Sequence, residues 1–297
     1  GVASCIDLYL NGEFVGYSEG AHNTAEFNLS GKLTAGENEL VAVIRRWCTG
    51  TYLESQDMFR NNGIFRDVLL RVSEPTDFWD IGAVTDKNGD RYSLKMTAQT
   101  LTDTDVTFIV EGNGINLTRT VATEDRVAVV TFDDLDVIEW NAEKPTLYNI
   151  YYETETSCVR ERIGFKTVEI RGDVFLVNGR KIKFHGVNHH DTSPTNGYTM
   201  TPDEIERDIL LCKVFNIDTV RTSHYPPDPL LLELADELGI YIVDENDLET
   251  HGTFAHQLPP TYNSISHDPM WQPRYVDRIT RLYERDKIHA STSIVTT

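Results

Sequence analysis

Apolar and polar positions alternate with a period of two through the first 74 residues. Ile6, Leu8 and Leu10 share one face, Asn11-Gly12 marks a tight hairpin, and Phe14 and Val15 carry the return strand. Residues 39–46 (ELVAVIRR) predict a buried strand, and residues 64–72 (IFRDVLLRV) predict another. The same period continues past Pro75, through residues 93–100, 106–111, 126–132 and 147–154. That spacing predicts an immunoglobulin-like sandwich of roughly 100 residues. Near Val174 the pattern changes. Residues 175–180 read as a hairpin into a strand over 182–187, and Thr201-Pro202-Asp203-Glu204 opens a helix with a capping box. Ile205, Ile209, Leu211 and Cys212 give that helix an apolar face. A strand over 218–224 follows, then a helix capped by Asp228-Pro229 and closed by Gly239, a strand over 240–245 and a helix over 269–287. The tail 293–297 predicts the start of a fourth strand. The expected domains are 1–74 (a β-sandwich), 75–172 (an immunoglobulin-like sandwich) and 173–297 (three of the eight βα units of a barrel).

The formal charge of -20 over 297 residues argues against nucleic acid and against anionic membrane, both of which call for basic patches. No apolar run reaches transmembrane length. Cys5, Cys48, Cys158 and Cys212 lack paired spacing, so free thiols in a reducing cytosol are expected, although an even count leaves disulfides open. Sequons at Asn28 and Asn116 are matches that chance often produces. The chain opens Gly1-Val2-Ala3 without a Met, and a true start is expected to be absent.

Three phrases concentrate the chemistry: FHGVNHHD, RTSHYPPD and YIVDENDLETHG. In each, an apolar run ends in a polar cluster, as parallel strands do when they deliver site residues at their C-terminal ends. Glu249 and His251 stand two apart at the end of a segment that reads as extended, which puts both side chains on one face. Spacing alone favours a His–Glu hydrogen bond over a shared divalent cation. His190 and His224 end two different strands, and a neutral imidazole both donates and accepts. His189 points the other way and is read as structural. Asn188 and Arg221 lie near strand ends as supports, as do Asp244 and Glu245. Asp57, by its sequence neighbourhood, is a solvated turn residue.

These phrases, together with NGEFVGYSEG, TAGENELVAVIRRW and GTYLESQDMFRNNGIFRDV, closely resemble the large bacterial β-galactosidases of glycoside hydrolase family 2. The resemblance runs to about His289 and implies a sugar-binding jelly roll, an immunoglobulin-like sandwich and the opening of a TIM barrel. It implies that Glu249 and His251 bind Mg2+, that His190 and His224 contact the sugar, and that Asp57 binds galactose hydroxyls and Na+. It also implies a cytoplasmic homo-oligomer acting on lactose or other β-galactosides with retention. Retention needs two carboxylates about 5 Å apart. The family supplies them after the fourth strand and from a much later one, and neither is expected within these residues. After ERDK the chain reads IHASTSIVTT where the family has an Asn-His-Pro-Ser run, so a truncation or frameshift is expected, with weak metal affinity and no activity alone. The unpaired edges of a partial barrel would favour a second chain completing it. The alternatives are a non-catalytic carbohydrate-binding protein with a vestigial barrel, another family 2 glycosidase such as a β-glucuronidase, and a metallohydrolase built on His190, His224, His251 and Glu249.

Overall fold

The structure is a computed structural model and describes residues 1–59, 61–253 and 265–296. The first unit contains β1 (Val2–Ala3), β2 (Cys5–Leu10), β3 (Glu13–Glu19), β4 (Leu40–Arg45) and β5 (Gly63–Ile64). They form the sheet β3-β2-β4 and the pair β1-β5. Asn11 (φ 52°) and Gly12 (φ 82°) both take the left-handed conformation that the predicted hairpin requires. Two expectations fail here. β4 forms, but Leu40, Val41 and Val43 on it are exposed, because it is an edge strand paired with β2 alone. Of the run 64–72, only Ile64 joins a strand. Val68, Leu69, Leu70 and Val72 are each at least 72% exposed, since no neighbouring strand among the described residues offers them a ladder.

The second unit contains β6 (Phe78–Asn88), β7 (Arg91–Thr100), β8 (Asp105–Gly112), β9 (Ile115–Ala122), β10 (Val127–Leu135), β11 (Tyr148–Glu153) and β12 (Cys158–Ile163). Two antiparallel sheets, β10-β7-β6 and β12-β11-β8-β9, make the expected sandwich. Alternate residues Leu94, Met96 and Ala98 of β7 face Phe108, Val110, Ile150 and Tyr152 across a fully buried core. The alternation did not single out β6, β9 or β12. β9 carries no fully buried residue, so its apolar signal is weak.

β13 (Val168–Arg171), β14 (Val174–Val177) and β15 (Arg180–Lys181) form a small antiparallel sheet with turns at Gly172-Asp173 and Asn178-Gly179. The parallel sheet that follows contains β16 (Gly186–His189), β17 (Thr219–Thr222), β18 (Tyr241–Glu245) and β19 (Thr292–Thr296), in that order. Its connections are α1 (Pro202–Val214), α2 (Pro229–Leu238) and α3 (Gln272–Asp286), as βα units demand. β16 begins four residues later than predicted. Ile182 and Phe184 instead pack against the cluster around Trp140 and Tyr241, which removes them from the ladder. α1 has its capping box, with the Glu204 N–H donating to Thr201 Oγ1 and the Thr201 N–H to the Glu204 carboxylate. Ile205, Ile209 and Cys212 are buried against Val220, Leu231, Leu232 and Ile242, but Leu211, expected on that face, is exposed. Asp228 caps α2, and Gly239 (φ 75°) closes it in the left-handed conformation. The predicted helix over 269–287 is one 3-10 turn, Pro269–Trp271, followed by α3. The tail strand forms as β19, with Thr297 outside the described residues.

Candidate functional site

The parallel register puts Asn188 of β16 beside Arg221 of β17, and His189 beside Thr222. Arg221, Glu245 and His224 therefore meet at the C-terminal ends of the strands. Arg221 Nε donates to Glu245 Oε1 at 2.5 Å, and Nη1 donates to Asn188 Oδ1 at 3.3 Å. His224 Nδ1 lies 2.9 Å from Glu245 Oε2 and 3.3 Å from Arg221 Nη2. The shorter contact is with the carboxylate, so Nδ1 carries the proton and donates to Glu245. That leaves His224 Nε2 as an acceptor.

His190 takes the opposite role. Its ring centroid lies 5.8 Å from that of His224, at 82°. Tyr225 Oη already accepts from the Asp191 N–H at 2.9 Å, so its own proton goes to His190 Nδ1 at 3.3 Å. His190 then presents a donor, Nε2–H. Burial, with the neighbouring His224 and His189 rings, pushes the His190 pKa down and keeps the ring neutral. Burial likewise raises the Tyr225 phenol, which stays protonated. One imidazole that accepts and one that donates, on adjacent strand ends, suit recognition of a polyol. His189 turns toward α1, with Nε2 3.2 Å from Asp208 Oδ2.

Glu249 is fixed by the first domain. Its N–H donates to the Leu53 carbonyl and its carbonyl accepts from the Ser55 N–H, both at 2.7 Å. The segment does not stay extended as far as His251, which opens a 3-10 turn over His251–Thr253. Even so, Glu249 Oε1 lies 3.4 Å from His251 Nδ1, while Oε2 is buried with no hydrogen-bond partner among the described residues. The orphaned carboxylate oxygen is a donor of the kind a hard divalent cation such as magnesium takes, whereas the ring nitrogen is a softer one. Among the described residues no group of three or more His, Cys, Asp or Glu is close enough to hold a metal. A third ligand is therefore not among them, and the His190, His224, His251 and Glu249 centre of a metallohydrolase is not assembled.

Asp57 is exposed, with no hydrogen-bond or ion-pair partner among the described residues. Its neighbour Gln56, however, reaches the barrel: Nε2 donates to Asp247 Oδ1 at 2.9 Å and to the His224 carbonyl at 3.3 Å. Asp247 is fully buried. Burial opposes its ionisation, but His22 and Arg278 more than offset that and hold it down at about 2. Sequence reasoning missed Gln56, Tyr225, His22 and Asp247. Tyr225 and Asp247 lay inside the flagged phrases, and Gln56 adjoined Asp57. His22 had no signal.

The model of the glycosyl hydrolases family 2 sugar binding domain matches residues 1–74, and that of the family's TIM barrel domain matches residues 168–296. The β-galactosidase of Arthrobacter sp. (strain B7) is 40% identical over 98% of this chain and 28% of its own length. The β-galactosidase of Actinobacillus pleuropneumoniae is 35% identical over 99% of the chain and 32% of its own. The chain thus spans about a third of the length of the curated relatives it matches. Among solved structures, Bifidobacterium dentium β-glucuronidase complexed with coumarin-3-O-glucuronide superposes with a TM-score of 0.83 at 21% identity, over 99% of this chain and 54% of that one. The β-D-glucuronidase of Dictyoglomus thermophilum gives 0.77 at 19% identity, over 98% and 54%. At such identities the likeness is one of fold.

Proposed function

The chain belongs to glycosyl hydrolase family 2, and from that we propose that it carries the sugar-recognition face of a β-galactosidase acting on terminal β-galactosides such as lactose. The observation that carries this reading is the His190–His224 pair, with ring centroids 5.8 Å apart, Tyr225 Oη at one Nδ1 and Glu245 at the other; these partners favour complementary tautomers on the two rings. His190 Nε2–H donates to one hydroxyl and His224 Nε2 accepts from another. The Glu245–Arg221 pair fixes the second ring and keeps its tautomer. Glu249 and His251 would hold magnesium, which when bound supplies a fixed divalent charge beside the sugar site.

A glucuronide is the less favoured ligand. Its carboxylate calls for a cation, and Arg221, the guanidinium at the strand ends, is already paired with Glu245 at 2.5 Å. Glu245 is paired with Arg221 and His224, and Glu249 has one oxygen beside His251 and the other without a partner among the described residues. We propose that these residues recognise a galactoside without hydrolysing it, since the family resemblance assigns neither the acid/base nor the nucleophile to any of them. The test is calorimetric titration of the purified chain with methyl β-D-galactoside and with methyl β-D-glucuronide, with magnesium present, alongside a chromogenic aryl β-galactoside assay. Galactoside binding that His224→Ala abolishes, with no turnover, is expected. Preferential glucuronide binding would overturn the galactoside reading, and turnover abolished by Glu249→Gln would show that the carboxylates present suffice.

A further inference from the structure

His22 lies in the first domain, in the turn after β3, remote in sequence from every residue that reaches the strand ends. Its ring is buried, and two separate sets of contacts leave it. On one side its N–H donates to Asp247 Oδ2 at 2.9 Å, and Nδ1 lies 3.2 Å from Asp247 Oδ1. Asp247 Oδ1 also accepts from Gln56 Nε2, the same amide that reaches the His224 carbonyl. On the other side the ring stacks on Tyr225, with centroids 3.9 Å apart and planes at 15°. Tyr225 is the residue whose hydroxyl meets His190 Nδ1. His22 itself is held in place, with Phe65 edge-on to its ring at 5.2 Å and Arg66 Nη1 donating to its carbonyl at 2.9 Å.

One route thus runs by hydrogen bonds from His22 to the backbone of His224, and another by stacking to His190. The two site histidines come from different strand-end loops, so their relative position depends on what lies beneath them. A site must hold its groups within about 0.5 Å of the productive geometry, which demands a packed and hydrogen-bonded support. We propose that His22 is a positioning residue that sets the spacing of His190 and His224, so that the first domain tunes the barrel's sugar-facing pair. This rests on the reading that those two histidines face the sugar.

Three variants of the full chain separate the routes. His22→Phe keeps the stack on Tyr225 and removes the side-chain bond to Asp247. His22→Asn keeps a donor toward Asp247 and removes the stack. Tyr225→Phe keeps the stacked ring and removes the hydroxyl. Imidazole nitrogen shifts are recorded by long-range 1H–15N NMR without ligand, followed by titration with methyl β-D-galactoside. His22→Phe is expected to move the His224 signals and leave those of His190, while His22→Asn and Tyr225→Phe do the reverse. Each should weaken galactoside affinity by up to roughly tenfold, about the worth of one hydrogen bond or one aromatic stack. If neither imidazole responds, or if all three variants disturb both alike, including through loss of fold seen by circular dichroism, the assignment is overturned. Failure of the unaltered chain to bind galactoside would sink the sugar reading alone, because the imidazole shifts are read without ligand.

Discussion

The Arg278–Glu54 pair joins α3 to the first domain, and its removal tests the domain junction. The Arg278 side chain is fully buried: Nη2 donates to Glu54 Oε1 and Nε donates to the Asp247 carbonyl at 2.8 Å. Burial pushes the Glu54 carboxyl well up, the Asp247 charge adds to that, and Arg278 opposes both. Arg278→Met keeps most of the buried stem but removes the guanidinium that opposes burial and the Asp247 charge at Glu54, where the Ala21 backbone hydrogen bond remains. Breaking one side of a buried pair costs about 3–5 kcal/mol. Glu54→Gln should cost less, about 1–3 kcal/mol, because Arg278 keeps the Asp247 carbonyl and carboxylate nearby. The double variant should be no less stable than Arg278→Met alone, since neither charge is left stranded. Urea unfolding followed by tryptophan fluorescence measures all three. The sign with pH follows from the raised Glu54 pKa: its contribution is fully present below the unfolded value and is lost as pH rises toward the folded one. The Arg278→Met deficit should therefore shrink between pH 8 and pH 5. An Arg278→Met cost below about 1 kcal/mol, or a double variant showing the plain sum, would refute the reasoning.

Asp244 is pushed up to about 8 by burial and then by the Asp286 charge, so it stays protonated in the folded chain while the unfolded chain has released its proton. Stability should fall as pH rises between about 4 and 8, and Asp244→Asn should flatten that slope in melts across the range. Lys166 is held down at about 7 by burial, with Nζ on the Ala290 and Thr292 carbonyls. Its contribution runs the other way, with stability rising with pH between about 7 and 10, and Lys166→Met should remove that rise in urea titrations at pH 7 and pH 10. Trp140→Ala should destabilise by about 3–5 kcal/mol in urea unfolding, since it opens a cavity against Tyr241 and Ala290 and strands the Asp236 carbonyl that Nε1 meets at 2.9 Å. A loss under about 1 kcal/mol would show that the site collapses around the gap.

What the sequence disclosed follows from how local each cause is. The hairpin at Asn11-Gly12, the Thr201–Glu204 box and the Gly239 stop each depend on residues within four positions of one another. The core strands β7, β8 and β11 were legible because each buries one face against an opposing sheet. The run 64–72 reads as a strand for the same reason but finds no ladder, since pairing is a property of neighbours that periodicity does not report. Ile182 and Phe184 misplaced the start of β16 because burial in a coil and burial in a strand look alike over four residues. At the site, His190, His224, Arg221 and Glu245 were legible as strand-end polar residues, and the structure brings them together. The Asp247–His22 contact joins residues 225 positions apart and has no local signature. Asp57 remains an exposed side chain that nothing in the structure explains, and its more informative neighbour is Gln56.

The junction beneath the site is polar where an apolar one would be easier to stabilise. Glu54 with Arg278, His22 with Asp247, and Arg66 with Asp191 are all buried or largely buried ion pairs and hydrogen bonds between the first domain and the barrel. Each must recover a desolvation penalty that an apolar contact of the same volume avoids, so stability alone does not account for three of them. Apolar surfaces tolerate sliding, whereas a carboxylate that accepts from His22 and Gln56 together does so in one relative placement of the two domains. The consequence is directional. Residues 53–56 run along residues 247–249, so Glu249 and the His224 backbone are registered against the first domain as well as against their own sheet. The cluster at the strand ends is thereby held by a second domain as well as by its own sheet. Loosening that junction should alter the site's selectivity before it unfolds the chain.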